Sequence, residues 1–236
     1  MRSRSPSCSA GAISRRPRKA LNYLRSWGAL PASQLRMIIA LAIAVALANV
    51  GQPYPDIAPL QHVPTVTLLL AAPPLLRRWP LSDGSVACML AFLLLHTLAG
   101  RYTYSNVPYD AWARALTGFS IDRAFGLVRN DFDRVVHLAF GLLAVRPYAE
   151  AARRHGGIGG RAAIASAFLF VGTIGALYEI FEWLLTILLA PDMADQYNGQ
   201  QGDMWDSQKD MAIAMVGALI ASVWLLRRRG KGAKGR

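Results

Sequence analysis

Long apolar stretches alternate with short charged ones along the chain, which is typical of a multi-pass membrane protein. A helix needs about 20 residues to cross the hydrocarbon core of a bilayer. The pattern predicts an all-α bundle of about six transmembrane helices, at about Leu35–Val50, Pro59–Leu76, Val86–Gly100, Asp131–Tyr148, Ala162–Ala190 and Trp205–Leu226. These helices form one membrane domain over residues 35–226, between a basic tail of low complexity over 1–34 and a second basic tail over 227–236.

Composition and charge agree with this interpretation. Of the 236 residues, 53% are hydrophobic and only 17% are charged, whereas a soluble domain has about 25% charged residues. The net charge of +12 is concentrated beside apolar stretches, with eight Lys/Arg in Met1–Arg36 and six in Arg227–Arg236. The positive-inside rule therefore predicts that both termini of this multi-pass membrane protein are cytoplasmic. Its expected partner is the lipid bilayer rather than nucleic acid, and no pattern indicates an oligomeric state.

Two of the predicted helices are too short unless they include acidic residues. Only Met211–Leu226 follows Asp210, a length of about 24 Å, so the last helix has to begin before Asp210. The stretch "VVHLAFGLLAV" is also short, which draws Asp133 and His137 into the membrane. The fifth helix is long enough by itself and carries Glu179 and Glu182 in its outer half.

These acidic residues are spaced so that each helix presents a pair on one face. Pairs at i,i+3 or i,i+4 share a helix face, as do Asp133/His137, Glu179/Glu182 and Asp206/Asp210. An aspartate at the membrane centre costs about 2.5–3.5 kcal/mol, so the three pairs are expected to face one another. The basic partners available nearby are Arg134, His137 and Lys209, with Arg101 and Arg129 as further candidates.

The surroundings of this outer-half acidic pocket can also be predicted. His96 lies near the outer end of the third helix and is expected to join the pocket. Tyr102, Tyr104 and Trp205 suit the membrane interface, which is also a sufficient explanation for them. Asp203 is expected to cap the last helix at the outer surface.

Acids outnumber bases in this pocket, and protonated carboxyls with raised pKa, a bound metal cation or a cationic ligand can each balance the excess. One imidazole and several carboxylates suit Mg, Mn or Fe better than structural zinc. The candidate ligands of a divalent metal are His137, Glu179, Glu182, Asp206 and Asp210. The candidate catalytic residues are Glu179, Glu182, His137 and Asp133. The sequence has no recognisable nucleophile motif and no nucleotide-binding glycine loop.

Four segments in order give the chain a family resemblance: "RYTYSNVPYD", "RNDFDRVVHLAFG", "YEIFEWL" and "GQQGDMWDSQKDM". With them it resembles the YjdF-type bacterial inner-membrane proteins, a domain family whose function is not established. The family pattern has a histidine before the tyrosine motif, where this chain has Arg101. A more distant likeness is to VanZ-like membrane proteins, which carry Asn in place of Asp210. These likenesses imply a role at the cell envelope and no particular reaction.

Three classes of function remain open at this point. The first is an enzyme acting on a lipid or lipid-linked envelope substrate, with Glu179 or Glu182 as base or metal ligand and His137 as acid–base partner. The second is a small proton-coupled transporter that uses the same carboxylates. The third is a non-enzymatic envelope scaffold, in which the polar network only specifies helix packing.

Overall fold

The structure is a computed structural model, and it describes residues 23–188 and 199–233. Every regular element in these two ranges is helical, which confirms the predicted all-α class. The helices are α1 (Ala32–Ala48), α2 (Ala58–Gln61), α3 (Val63–Arg78), α4 (Asp83–Arg101), α5 (Tyr109–Thr117), α6 (Ile121–Phe125), α7 (Phe132–His155), α8 (Gly160–Leu188) and α9 (Asp206–Ala233). A short helical segment over 23–28 precedes them.

Among the described residues, three helices are long and apolar enough to cross a membrane: Asp83–Arg101, Gly160–Leu188 and Asp206–Arg229. The apolar helix α1 is shorter. The outward face of α8 is strongly apolar, and Leu169 and Ile187 are 65% and 63% exposed. Large apolar side chains exposed along a whole helix are stable in lipid and not in water. The chain is therefore a helical membrane protein.

Two parts of the prediction fall outside the described residues. The predicted end of the fifth span at Ala190 lies outside them, as does most of the basic segment 1–34. At the other end of the chain, α9 continues beyond Leu226 through the arginine run to Ala233. Cations in the last turns of a helix interact favourably with its dipole, and the Arg228 guanidinium lies 4.0 Å from the centre of the Trp224 ring.

Helices α7, α8 and α9 form a closely packed group because small residues line their contacts. A Cβ atom on Gly141 would lie 2.0 Å from the carbonyl oxygen of Ala214. A Cβ atom on Gly217 would lie 2.4 Å from the carbonyl oxygen of Leu138. Glycine at both positions lets the backbones of α7 and α9 touch, as small residues do between membrane helices. Toward the other end of this group lies a core of Ala144, Val145, Ala149, Ile164, Ala167, Val171, Ala214 and Ala218.

A second group packs α1 against α4 through Leu41, Val45 and Leu93. Arg101 holds the C-terminal ends of these two helices together. Its Nη1 donates to the carbonyl oxygens of Ala48 at 2.6 Å and Val50 at 2.8 Å. These carbonyls lie at the C-terminal end of α1, where four backbone acceptors have no partner within the helix. Arg101 therefore caps α1 and does not join the acidic residues.

The segment between α4 and α7 folds into two short helices that bind each other. Asp110 Oδ1 accepts from the Ser120 hydroxyl at 3.0 Å and from the backbone N–H of Asp122 at 3.1 Å. The Tyr109 hydroxyl donates to Asp122 Oδ1 at 2.7 Å, and burial together with this hydrogen bond raises the pKa of Tyr109 to about 12. The segment thus has an ordered internal hydrogen-bond network, and it ends at Arg129, beside the acidic residues.

Candidate functional site

The N-terminal ends of α7 and α9 meet the C-terminal half of α8 at one end of the bundle. The close contact of α7 with α9 aligns the first two turns of each helix. Five of the six residues predicted as intramembrane pairs meet there, in two adjoining groups, and Asp203 joins one of these groups. One group is an ion-pair network around Arg129, and the other is the triad of His137, Glu179 and Asp210.

Arg129 is the centre of the ion-pair network. Its guanidinium forms a salt bridge with Asp133, reaches Asp206 Oδ1 at 2.6 Å and lies 3.1 Å from Asp131 Oδ1. The side chain is only 9% exposed. Burial acts to lower the pKa of Arg129, and the surrounding carboxylates, led by Asp133, outweigh burial and raise it. Arg129 is therefore a fixed positive charge between α7 and α9.

Arg134 and Lys209, whose side chains are more exposed than that of Arg129, extend the same network. Arg134 Nη1 lies 2.6 Å from Asp131 Oδ1, and its Nη2 lies 2.7 Å from Asp203 Oδ2. Lys209 Nζ lies 2.6 Å from the same Asp203 oxygen, and this hydrogen bond is the main cause that lowers the pKa of Asp203. Asp203 Oδ1 also accepts the backbone N–H of Trp205, just before α9 begins, so Asp203 has both a capping bond and two cationic partners.

The triad lies one helical turn deeper. His137 Nε2 is 3.9 Å from Glu179 Oε1 and 3.8 Å from Asp210 Oδ2. These distances are too long for hydrogen bonds. Glu179 and Asp210 are only 6% and 5% exposed, and among the described residues Glu179 Oε1 and Asp210 Oδ1 have no hydrogen-bond partner. An unpartnered oxygen on a buried carboxylate is costly, so each of these two atoms calls for a hydrogen-bond donor, a bound cation or protonation of its carboxyl group.

The dimensions of the triad suit a divalent cation. One ligand atom from each residue lies within 4.8 Å of the others. His137 Nε2 lies 3.9 Å from Glu179 Oε1 and 3.8 Å from Asp210 Oδ2, so, with the two carboxylate atoms within 4.8 Å of each other, a point equidistant from all three lies roughly 2.1–2.5 Å from each. Metal–ligand distances in proteins run from about 2.0 Å for Zn²⁺ and Mg²⁺ to about 2.6 Å for Ca²⁺. The triad can therefore hold such an ion without a change of fold.

The other candidate ligands are arranged differently. Asp133, Asp206 and Asp210 also lie within 4.8 Å of one another. However, Asp133 and Asp206 already bind Arg129, whose positive charge opposes a second cation there. Glu182 lies one turn from Glu179 on α8, is half-buried, and is not among the residues whose ligand atoms cluster within 4.8 Å.

A cavity of about 590 Å³ lies beside the triad, between α1, α3, α4, α7 and α8. Its wall is apolar along most of its length, and the polar side chains on it are His96, Tyr104, His137, Tyr148 and Tyr178. His96 Nδ1 lies 3.2 Å from the Thr65 hydroxyl, and its ring contacts Tyr104 edge to face. His137 therefore belongs to both the triad and the cavity wall.

The predicted aromatic residues separate into two sets. Tyr104 reaches the cavity because Thr103 and Tyr104 both have left-handed backbone, with φ of 48° and 58°; such strain is typical of functional sites. Tyr102 points elsewhere and packs on Trp112, with ring centres 5.7 Å apart. Trp205 is 57% exposed beside the start of α9, as an interfacial residue would be.

Sequence reasoning missed two features of the site. It gave Arg129 only as one candidate partner, although the i,i+4 spacing from Arg129 to Asp133 is a usable signal. It did not single out Tyr178, which stands one position before Glu179 and contacts the His137 ring edge to face. Nothing in the hydrophobic pattern predicts the cavity, because cavities depend on how separate helices pack.

The fold and this buried polar site define a multi-pass helical membrane protein. The chain belongs to the family described as predicted membrane protein (DUF2238), whose model matches residues 34–231. It is 33% identical over 163 residues to the inner membrane protein YjdF of Escherichia coli (strain K12), which covers 69% of this chain and 72% of that protein. No solved structure gave a significant match. The resemblance to YjdF-type proteins and the inner-membrane localisation are thus confirmed, whereas the VanZ-like resemblance is not supported by these matches.

Proposed function

We propose that this protein is a metal-assisted enzyme of the inner membrane that acts on a lipid or lipid-linked envelope substrate. In this proposal His137, Glu179 and Asp210 hold a divalent cation in the outer half of the membrane. The observation that carries the proposal is the position of His137, which contributes to the triad and to the wall of the apolar cavity. An acyl or isoprenoid chain in the cavity would bring its polar headgroup to the triad.

The chemistry of the triad supports this role. Two buried carboxylates and a neutral imidazole are a common donor set for Mn, Fe or Zn ions. A cation bound there would supply Lewis acidity and would activate a water molecule or a headgroup oxygen. Glu182, one turn away on the same face of α8, is placed to exchange a proton with the reacting group. Asp133 and Asp206 serve to position Arg129 and the two helices.

The proposal includes a topology of six spans: α1, α3, α4, α7, α8 and α9. Contacts at one end of the bundle support it. The Ser33 hydroxyl near the start of α1 donates to Asp83 Oδ2 at 2.6 Å at the start of α4, and Arg229 near the end of α9 packs on Gly160 at the start of α8. The same end carries most of the arginines of the bundle, and the positive-inside rule makes it the cytoplasmic end. Both chain termini then lie in the cytoplasm.

Elemental analysis of the detergent-purified full chain tests the metal. We expect about one divalent ion per chain in the wild type, and none after Glu179→Gln or His137→Ala, because each substitution removes one of three ligands. Glu182→Gln is the matched control on the same helix and is expected to retain the ion. A wild-type protein without metal, when prepared with Mn²⁺, Fe²⁺ or Zn²⁺ in the buffers, would contradict the metal-assisted mechanism.

The cavity requires a separate test. Ala72 lines the cavity from α3, a helix that carries no triad residue. Ala72→Phe would fill part of the cavity. We expect this variant to retain the metal and to lose the lipid change that separates a deletion strain from wild type by lipid mass spectrometry. Unchanged lipids in the deletion strain, or full complementation by Ala72→Phe, would contradict a lipid substrate in the cavity.

A non-enzymatic envelope scaffold is the second candidate, and one observation favours it. Four carboxylates of Asp131, Asp133, Asp203 and Asp206 are already paired with Arg129, Arg134 and Lys209. Such a network can serve only to fix helix packing. This candidate predicts that Glu179→Gln leaves complementation of the deletion strain intact, whereas the enzyme proposal predicts that complementation is lost.

A further inference from the structure

A second cavity, of about 410 Å³, lies at the opposite end of the bundle from the triad. It is formed by the C-terminal half of α7, the start of α8, the end of α9 and Ser82 just before α4. We call it the arginine pocket, because five arginines line it: Arg146, Arg153, Arg154, Arg228 and Arg229.

The arginine pocket contains far more positive than negative charge. Its acidic residue, Glu150, accepts from the backbone N–H of Ser82 at 2.8 Å and from the hydroxyl of Ser82 at 2.6 Å. Glu150 Oε1 also lies 2.9 Å from Arg154 Nε. Its charge is thus neutralised by Arg154. Within residues 23–188 and 199–233, no carboxylate lies within 4.0 Å of the other four guanidinium groups.

Two glycines hold guanidinium groups at the pocket. A Cβ atom on Gly160 would lie 1.7 Å from Arg229 Nη1, and a Cβ atom on Gly84 would lie 2.1 Å from Arg146 Nη2. The Arg228 guanidinium is in turn held over the Trp224 ring. The positive-inside rule requires arginines at this end of the bundle but not their convergence on a cavity. Like charges that converge without counter-charges indicate that an anion belongs there.

We propose that the arginine pocket binds a phosphate group, carried either by a lipid headgroup or by free phosphate. The planar guanidinium matches phosphate oxygens in pairs, which makes arginine the usual residue for this recognition. A cavity of about 410 Å³ has room for a phosphate and its ester substituents. The open side of the pocket lies where headgroups of the inner leaflet would be under the proposed topology. This site is independent of the triad and of the enzyme proposal.

The test uses the full chain in dodecyl maltoside, free of phosphate and native lipid. Phosphatidic acid, diacylglycerol with the same chains, and inorganic phosphate are added separately, and the Tm is followed. We expect phosphatidic acid to raise the Tm and diacylglycerol to leave it unchanged. If inorganic phosphate raises the Tm as much as phosphatidic acid does, the ligand is soluble phosphate. If phosphatidic acid raises the Tm and inorganic phosphate does not, the ligand is a lipid headgroup. No shift with either phosphate compound would overturn the proposal.

Three variants distinguish a specific phosphate site from non-specific electrostatic attraction. Arg229→Ala removes a pocket arginine and is expected to weaken phosphate binding by about tenfold or more. Arg227→Ala makes the same charge change two positions away, outside the pocket, and should bind as the wild type does. Gly160→Ala keeps every charge but displaces the Arg229 guanidinium, so it should also weaken binding. Equal weakening by Arg227→Ala and Arg229→Ala, or no effect of Gly160→Ala, would show only non-specific attraction.

Discussion

If the contact between α7 and α9 at Gly141 sets the geometry of the triad, Gly141→Ala should disturb the metal binding proposed there. The added Cβ atom would lie 2.0 Å from the carbonyl oxygen of Ala214, about 1.4 Å inside the 3.4 Å at which ordinary contact begins. The Cβ atom is bonded to the backbone of α7 and the oxygen belongs to the backbone of α9. Neither atom can rotate away as a side chain would, so the two helices have to separate. His137 precedes Gly141 by one turn and Asp210 precedes Ala214 by one turn, so the displacement acts directly on the triad.

The magnitude follows from the tolerance of metal sites. His137 Nε2 and Asp210 Oδ2 are 3.8 Å apart, and metal–ligand distances vary by only about 0.2 Å around their preferred values. A separation of about 1 Å or more would remove one ligand from reach. We expect metal affinity to fall by about 100-fold or more, since even changes outside the ligands cost 10–100-fold. Overpacking should also lower the unfolding free energy by about 1–3 kcal/mol.

The assay is a metal titration of detergent-purified protein, with the Tm of the metal-free form measured in parallel. Gly175→Ala is the matched control, since it adds the same methyl group on α8 one turn from Glu179. A Cβ atom there would meet Met211 Cγ at 3.9 Å, an ordinary contact, so affinity should be unchanged. If Gly141→Ala binds metal as tightly as the wild type, the backbone contact does not set the ligand positions and our reasoning is refuted.

Three further predictions concern stability. Arg129→Met should lower the unfolding free energy by about 3–5 kcal/mol, because buried Asp133 loses its salt bridge and buried Asp206 keeps only Arg134, whose Nη2 lies 3.6 Å from its Oδ1. Arg114→Met removes an ion pair whose arginine is 60% exposed and should cost much less; equal losses in denaturant titrations would contradict this. The pKa of Asp203 is lowered below the ordinary 3.8, so its ion pairs stabilise the fold at neutral pH and are lost as the pH falls through the lowered pKa. The Tm difference between wild type and Asp203→Asn should therefore persist down to about pH 5 and shrink only at lower pH. Thr65→Val should cost about 1–3 kcal/mol by leaving buried His96 Nδ1 without its partner, whereas Thr67→Val on the exposed face of α3 should stay within about 0.5 kcal/mol.

The helices and the pairing of acidic residues were predictable because both depend on local spacing. Hydrophobic length required α9 to begin before Asp210, and it begins at Asp206. The i,i+3 and i,i+4 rules likewise placed His137 and Asp133 on one face of α7. These inferences need only the geometry of a single helix.

The division of the acidic residues into two groups was not predictable in this way. Asp206 and Asp210 share a helix face, yet Asp206 binds Arg129 and Asp210 faces His137. The difference depends on Arg129, which enters from the segment that follows α6. The cavity and the arginine pocket also depend on contacts between residues far apart in the chain, which no local period describes.

The salt bridge between Arg129 and Asp133 has a consequence for biosynthesis. The two residues are four positions apart and emerge from the ribosome together, whereas Asp206 and Asp210 follow some seventy residues later. The early pair offsets one acid of α7 during insertion; an unpaired aspartate costs about 2.5–3.5 kcal/mol at the membrane centre and less near a helix end, where Asp133 lies. When α9 arrives, Asp206 joins a cation that is already in place. The order of synthesis thus lets the most polar part of the membrane domain assemble without a stage in which Asp133 lacks a counter-charge.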